Sequence, residues 1–302
     1  MDDILIATKD DLTYHREVVN TVLCTMKDNS LFLKLEKCEF EKHHIEYLGI
    51  LLEKGTVQPD PSKIAGLREW PTKLKSVKEV RSTLGVLGYQ HTFIPGFSHI
   101  ARPLTELLRK DKNFEWTDQC TEAVKELIRL VTTHPVLVHP NPNKTFKLEV
   151  DASNYTTGAI LFQRDERGKP RPIGYNSKTF NDAEQRYDIY DKELTAVDRG
   201  LANWRHLLLG NNIIIHSDHA NLTYYHHPHK LSDRAKRALN RIMQYSFIIK
   251  HKPGILNQVD ALSRCPDYQS KDNFSQEIGL PSHVFANTTS AIDYNTAILN
   301  AQ

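Results

Sequence analysis

The chain lacks long hydrophobic runs and has few cysteines. An apolar run such as residues 47–52 ends after 6 residues, whereas a membrane-spanning helix needs roughly 20, and no apolar signal segment follows Met1. The 4 cysteines lie far apart and form no C-x-x-C pair, which argues against a zinc knuckle and against a disulfide framework. We therefore expect an intracellular protein with reduced thiols and no membrane partner.

The chain also lacks a large net charge, because 39 Lys and Arg oppose 37 Asp and Glu over 302 residues. With 25% charged and 39% hydrophobic residues, the composition is that of a globular protein, neither a polycation nor a disordered chain. The balance shifts after Pro266, where residues 266–302 contain one lysine and 4 acids. This polar stretch has no sustained periodicity, so we predict a disordered linker or tail over 266–302.

Apolar periodicity predicts that much of the first half is helical. A helix over residues 12–26 keeps an apolar period near 3.6 and is flanked by expected strands at 4–7 and 47–52. A capping box that begins at Ser76 introduces a further helix. Residues 60–135 are therefore predicted to be mainly helical.

The period changes after the Pro/Asn-rich stretch 139–143, where we place a domain boundary. Predicted strands then cover residues 146–150, 158–162, 171–178, 213–215 and 247–250. A long helix runs from about residue 190 to Leu208, and a last helix covers 259–264. Because the later connections are long enough for parallel pairing, this pattern predicts an α/β fold with a five-stranded mixed sheet flanked by helices.

Four acidic residues stand at the ends of these predicted elements. Asp151 ends the first strand, Asp218 ends the fourth, Glu193 lies early on the long helix and Asp260 opens the last helix. Carboxylates at neighbouring strand ends repel one another unless cations neutralise them. Two Mg²⁺ ions about 3.5–4 Å apart would do so and would support phosphodiester hydrolysis. Taken singly, each acid is more readily explained as a turn or helix-cap residue, and it is their joint placement that favours a site.

Five ordered motifs surround these acids: LEVDAS at 148–153, YDKELTAV at 190–197, WRHLLLG at 204–210, HSDH at 216–219 and DALSR at 260–264. Together they resemble the ribonuclease H domain of Gypsy-type long-terminal-repeat retrotransposon Pol polyproteins. The resemblance implies a ribonuclease H-like fold that cleaves the RNA strand of RNA–DNA hybrids. It also implies that Asp151, Glu193, Asp218 and Asp260 are catalytic residues that hold two Mg²⁺ ions, with Mn²⁺ as a possible substitute.

Upstream motifs extend the resemblance to the start of the sequence. MDDIL at 1–5 resembles the latter part of the Tyr-x-Asp-Asp motif of the reverse transcriptase palm. YLG at 47–49, FIPGFS at 93–98 and FEWT at 114–117 are similar to the thumb and connection of the same polyproteins. The implied domains are a partial α+β palm remnant at 1–59, a mainly helical thumb/connection at 60–140, a ribonuclease H-like domain at 144–265 and a linker or tail at 266–302.

The resemblance also bears on polymerase activity. Because the sequence begins inside the palm motif, Asp2 and Asp3 are interpreted as a vestigial polymerase pair. We expect no DNA synthesis from this chain alone, and RNA-directed synthesis only if fingers and palm are supplied. The rest of a retrotransposon Pol polyprotein is accordingly an expected partner.

A basic cluster precedes the last predicted helix, with 7 Lys or Arg and one acid, Asp233, between residues 226 and 252. Arg234, Arg237 and Arg241 are spaced to share one helical face, and Lys250 follows on a predicted strand. Such a row suits phosphate oxygens and predicts salt-sensitive, sequence-independent binding of an RNA–DNA hybrid. An ordinary amphipathic helix with solvated arginines is the alternative.

Three functions therefore remain open from the sequence. The first is a Mg²⁺-dependent ribonuclease H with the four acids as its site. The second is a non-catalytic, nucleic-acid-binding remnant of a truncated element, and the third is one piece of a complete polymerase. Cleavage of a hybrid would separate the first from the second.

Overall fold

The computed structural model describes residues 3–8, 11–53, 55–133, 136–219, 222 and 232–252. These residues lie within one compact unit, Met1–Cys265. Four sequence predictions fall outside the described residues: Asp2, Asp260, the helix over 259–264 and the tail over 266–302.

The first element is helix α1, Leu12–Asp28, as the apolar period predicts. Its N-cap residue is Asp11, whose carboxylate accepts hydrogen bonds from the backbone N–H groups of Thr13 and Tyr14 at 3.0 and 3.1 Å. The strand expected at residues 4–7 is wrong. Within the described ranges no neighbouring strand pairs with that segment, and an apolar run without a partner cannot satisfy its backbone as a strand does.

The single strand predicted at 47–52 is also wrong, because the segment is a hairpin. Strand β1, His44–Tyr47, pairs antiparallel with β2, Ile50–Glu53. The two turn residues, Leu48 and Gly49, have φ angles of +48° and +73°, as a two-residue type I′ turn requires. Strands β3, Thr56–Pro59, and β4, Leu137–Val138, complete a four-stranded antiparallel sheet in the order β1-β2-β3-β4.

The sequence predicts a mainly helical segment over residues 60–135, and its described part, residues 60–133, is mainly helical. The helices are α2 (Pro61–Arg68), α3 (Val77–Tyr89), α4 (Phe97–Ile100), α5 (Arg102–Glu106) and α6 (Asp118–Thr133). Ser76 caps α3 by accepting a hydrogen bond from the Glu79 N–H at 3.3 Å. Buried residues such as Leu87, Leu104 and Leu127 form the shared core of these helices.

The second sheet has the five mixed strands that the sequence predicts. They are β5 (Phe146–Ala152), β6 (Thr156–Arg164), β7 (Pro170–Thr179), β8 (Asn212–Ser217) and β9 (Ser246–His251), in the order β7-β6-β5-β8-β9. The first three pair antiparallel, whereas β8 runs parallel to both β5 and β9. The crossovers contain α7 (Ile189–Asn203), α8 (Arg205–Leu208) and α9 (Asp233–Ile242).

Helix α7 packs on this sheet with Leu194, Val197 and Leu201 buried. The helix predicted to continue to Leu208 instead breaks at Trp204, whose φ and ψ of −108° and 28° leave the helical region. The break lets the buried indole lie over Gly174, where an added Cβ would be 3.3 Å from the indole nitrogen. In the described ranges no helix is both long and apolar enough to cross a membrane.

Candidate metal centre

Three of the four predicted acids come together in the structure. Asp151 lies near the end of β5, Glu193 on α7 and Asp218 directly after β8. One carboxylate oxygen from each lies within 4.8 Å of the others. Asp151 and Glu193 are only 4% exposed, and Asp218 is half-buried. Asp260 lies outside the described residues, so the structure does not place it.

The topology explains this convergence. Strands β5 and β8 are adjacent and parallel, with Glu149 opposite His216, so their carboxyl ends meet at one edge of the sheet. Helix α7 begins beyond the same edge, where its N-cap residue Asp188 accepts a hydrogen bond from the Asp191 N–H at 2.7 Å. This start places Glu193 in the second turn, on the buried face of the helix.

The donor set fits a hard divalent cation. Carboxylate oxygens are the protein ligands that Mg²⁺ and similar ions prefer, and Asp151, Glu193 and Asp218 supply only oxygen. Carboxylates this close and this buried repel one another when ionised, and a bound cation removes that repulsion. The arrangement is therefore compatible with a metal centre, and the donor chemistry favours Mg²⁺ or Mn²⁺ over metals that prefer sulfur.

The turn after Asp151 is ordered by its own side chains. The Ser153 hydroxyl accepts hydrogen bonds from the backbone N–H groups of Tyr155 and Thr156 at 3.3 and 3.0 Å. From α7, Lys192 donates to the Asn154 side-chain oxygen at 3.2 Å. Burial lowers the pKa of Lys192. Lys192 adjoins Glu193, so this bond links the turn after Asp151 to the helix that carries Glu193.

Two further polar groups flank the acids. The rings of Tyr190 and His219 lie edge to face with centroids 6.4 Å apart. Within the part of the chain that is described, the Tyr190 hydroxyl and His219 Nε2 are buried without a hydrogen-bond partner. Burial raises the pKa of Tyr190, with Asp191 and Asp188 adding to the effect, and burial lowers the pKa of His219.

Sequence reasoning missed an ion pair beside the site. Lys252, directly after β9, bonds the carboxylate of Glu149, a residue that is 1% exposed. The Lys252 backbone N–H also donates to the Ser217 carbonyl at 2.8 Å, next to Asp218. The sequence signal was an acid within a buried strand, two residues before Asp151.

The predicted arginine row is divided between two environments. Arg234 Nη1 lies 3.0 Å from the Asp191 carboxylate, and Arg241 Nη2 lies 2.6 Å from that of Asp198. Both acids belong to α7, so two of the three arginines join α9 to the neighbouring helix. Arg237 is exposed on the same helix.

Two other predicted site residues lie at the surface. Lys250 is exposed on β9, an edge strand of the second sheet. Burial lowers the pKa of Lys147, and the charges of Arg164, Lys250 and Lys252 lower it further. Asp3 is exposed, and its carbonyl accepts a hydrogen bond from the Tyr47 hydroxyl at 3.4 Å.

Sequence comparison shows what these features are similar to. The family described as "RNase H-like domain found in reverse transcriptase" matches residues 116–215. The Retrovirus-related Pol polyprotein from transposon 297 of Drosophila melanogaster is 35% identical over 266 residues, which are 87% of this chain and 24% of that protein. The Transposon Tf2-3 polyprotein of Schizosaccharomyces pombe is 34% identical over 274 residues, 88% of this chain and 20% of that protein. The chain thus spans a quarter or less of these relatives.

Solved structures show the same fold. A foamy viral protease-reverse transcriptase in complex with an RNA/DNA hybrid matches with a TM-score of 0.66 at 19% identity, covering 91% of this chain and 37% of that one. A related structure in complex with double-stranded DNA matches with a TM-score of 0.64 at 20% identity, covering 81% and 44%. At these identities the likeness concerns the fold.

Proposed function

We propose that this chain, which belongs to the Pol polyproteins of Gypsy-type long-terminal-repeat retrotransposons and carries their ribonuclease H-like domain, is a Mg²⁺-dependent endoribonuclease that cleaves the RNA strand of RNA–DNA hybrids. One observation carries the proposal: Asp151, Glu193 and Asp218 converge at one edge of the sheet with oxygens within 4.8 Å. Ionised acids in that arrangement repel one another, a bound cation would relieve that repulsion, and phosphodiester hydrolysis uses cations held in this way.

The proposed roles follow from the positions of the acids. Asp151, held by the central strand β5, Glu193 from α7 and Asp218 from the end of β8 would bind the cations, with Asp260 as the fourth proposed ligand. When bound, two such ions would supply a nucleophilic water at neutral pH and would stabilise charge on the leaving oxygen. Because Asp151, Glu193 and Asp218 lie on three separate elements, the fold itself sets the separations of their carboxylates.

An RNA–DNA hybrid is the proposed substrate. One structural neighbour was solved with an RNA/DNA hybrid and another with double-stranded DNA, which supports a duplex ligand for this fold. Arg237 and Lys250 are exposed cations that would contact phosphates, whereas Arg234 and Arg241 would act mainly by holding α9. Choice of a hybrid would rest on groove shape and 2′-hydroxyl contacts.

The proposed organisation is a palm remnant at 1–59, a thumb/connection at 60–140, the nuclease at 144–265 and a linker at 266–302. Strand β4 pairs with β3, so residues 137–138 return to the first sheet just before the proposed seam. Asp2 and Asp3 would contribute to DNA synthesis only within a polymerase completed by other parts of a Pol polyprotein.

Cleavage of a labelled RNA–DNA hybrid, with and without Mg²⁺, tests the nuclease. We expect metal-dependent cutting by the wild type, loss of cutting in Asp151→Asn, and unchanged cutting in Asp111→Asn, an exposed aspartate far along the chain from the site. Full cutting by Asp151→Asn would refute the assignment. A folded wild type that binds the hybrid without cutting it would favour the non-catalytic alternative.

A further inference from the structure

The turn that follows Asp151 is contacted from outside the proposed nuclease segment. The guanidinium of Arg102, at the start of α5, stacks on the Tyr155 ring with its central carbon 3.6 Å from the ring centroid. The Arg102 side chain is 20% exposed, and its Nε donates to the Glu106 carboxylate at 3.1 Å. A largely desolvated guanidinium stacked in this way attracts the aromatic face more strongly than an exposed one.

The same turn is also bound to α7 and to the residue after β7. Lys192 of α7 donates to Asn154, and the Phe180 N–H donates to the Tyr155 carbonyl at 2.8 Å. The turn therefore contacts both α5, which lies among the helices of residues 60–133 (the helical segment), and α7, which carries Glu193. Contacts from separate elements restrict its movement.

We propose that Arg102 is a positioning residue of the metal centre: by stacking on Tyr155 it holds the β5–β6 turn, and with it the Asp151 carboxylate, at the separation from Glu193 that a divalent cation requires. The inference rests on the proposed metal-dependent function. It assigns to the helical segment a part in the nuclease site that the four acids alone do not show.

The position of Asp151 in the hairpin explains why such support matters. Asp151 pairs with Gly158 and Ala152 with Thr157, the last two pairs before the turn. The closed end of a hairpin has neighbours on fewer sides than its middle, so contacts outside the ladder determine how far it moves. Partners behind a metal ligand commonly change metal affinity by about 10-fold to 100-fold when they are removed.

Other contacts join the same helical segment to β7 and to the loop after it, without touching the turn. Ser98 donates two hydrogen bonds to Ser177 on β7, from its backbone N–H to the Ser177 hydroxyl at 2.8 Å and from its hydroxyl to the Ser177 carbonyl at 2.9 Å. Arg109 pairs with Asp182 at 3.1 Å, with side chains 46% and 70% exposed. Arg109→Ala is therefore a matched control, because it removes an arginine contact across the same interface but leaves the turn intact.

The first measurement is Mn²⁺ binding to the full chain by calorimetry. We expect affinity to fall about 10-fold in Arg102→Ala, to stay within about 3-fold in Arg102→Lys, which retains a cation over the ring, and to be unchanged in Arg109→Ala. Tyr155→Leu should reproduce the loss while leaving Arg102 and Glu106 in place. The double variant Arg102→Ala/Tyr155→Leu should bind no more weakly than either single variant, because each single variant already removes the Arg102–Tyr155 contact.

The second measurement needs no metal. Hydrogen exchange of the backbone amides at residues 152–157 should become faster in Arg102→Ala and not in Arg109→Ala. In hybrid cleavage, Arg102→Ala should need more Mg²⁺ to reach its maximal rate, with KM for the hybrid unchanged and the rate recovered at high Mg²⁺.

The outcomes separate this inference from the proposed function. The positioning role would be overturned if Arg102→Ala and Arg109→Ala lost equal Mn²⁺ affinity. It would also be overturned if Arg102→Ala kept the wild-type hydrogen exchange and Mn²⁺ affinity. Neither outcome would contradict the nuclease. If the variants differ from the wild type in Mn²⁺ affinity as expected but the wild type cuts no hybrid, the nuclease is refuted and the positioning role is kept. A wild type that binds no Mn²⁺ would overturn both.

Discussion

Replacing Arg234 by alanine should destabilise the protein by about 2 kcal/mol, although Arg234 lies on a helix whose sequence predicts contact with nucleic acid. Its partner Asp191 is only 4% exposed. That carboxylate accepts a hydrogen bond from Arg234 at 3.0 Å and lies 3.2 Å from the Ser232 hydroxyl through each oxygen. The Arg234 guanidinium also stacks on the Tyr187 ring, 3.8 Å from its centroid.

The magnitude follows from these contacts. A hydrogen bond to a charged group contributes about 1.5–3 kcal/mol, and a cation over an aromatic ring at an exposed site adds about 0.5–1 kcal/mol. Arg234 is 49% exposed, so water screens its attraction to Asp191. In the variant, water can also hydrogen-bond the Asp191 carboxylate where the guanidinium was. The Ser232 hydroxyl still faces the carboxylate in the variant. Both effects reduce the expected loss to about 2 kcal/mol.

Urea unfolding followed by circular dichroism measures this loss, with Arg237→Ala as the control on the same helix. Arg237 is exposed, so its removal should change the free energy of unfolding by no more than about 0.5 kcal/mol while weakening hybrid binding and flattening its salt dependence. The double variant Asp191→Asn/Arg234→Ala should lose less than the sum of the single variants. Unchanged stability of Arg234→Ala, together with lost hybrid affinity, would refute the reasoning.

Two further predictions concern stability. Burial lowers the pKa of His99 below its ordinary 6.5, and the charge of Arg102 lowers it further. As the pH falls, the unfolded chain therefore takes up a proton at His99 before the folded chain does. The free energy of unfolding should decrease as the pH drops below about 6.5. His99→Gln should lose less stability than the wild type between about pH 7.5 and about pH 5, as urea midpoints would show, and equal losses would contradict this. Gly200→Val should cost about 1–3 kcal/mol, because a Cβ there lies 3.3 Å from the Leu148 side chain. The same change at Gly85, where a Cβ meets nothing within 4 Å, should be near neutral in the same unfolding assay.

Much of the second sheet could be predicted because its signals are local. Strands β5 to β9 each carry a continuous or alternating apolar pattern, and the connections around α7 and α9 are long enough to place β5, β8 and β9 parallel. Parallel neighbours end at the same edge, so two acids at the carboxyl ends of such strands must lie close together. The approach of Asp151 and Asp218 therefore follows once β5 and β8 are parallel neighbours.

The hairpin in the first sheet and the break after α7 were missed for physical reasons. The usual sequence signal of a type I′ turn is Asn-Gly. Here Leu48 occupies the first turn position with a positive φ, which leucine seldom adopts. The apolar period of α7 continues through Leu208, so nothing local marks Trp204 as the point where the helix ends. In both places tertiary contacts outweigh the local preference of the chain.

The arginines of α9 show why charge counted over a window misleads. Arg234 and Arg241 each bond an aspartate 43 residues earlier in the chain, and the two aspartates, Asp191 and Asp198, are 7 residues apart, as the arginines are. This constant offset means that α7 and α9 run parallel with matched turns, which no count over residues 226–252 contains. Two of the three guanidiniums therefore neutralise aspartates of α7, the helix that carries Glu193. Of the three arginines, Arg237 is the one that we expect to bind phosphate.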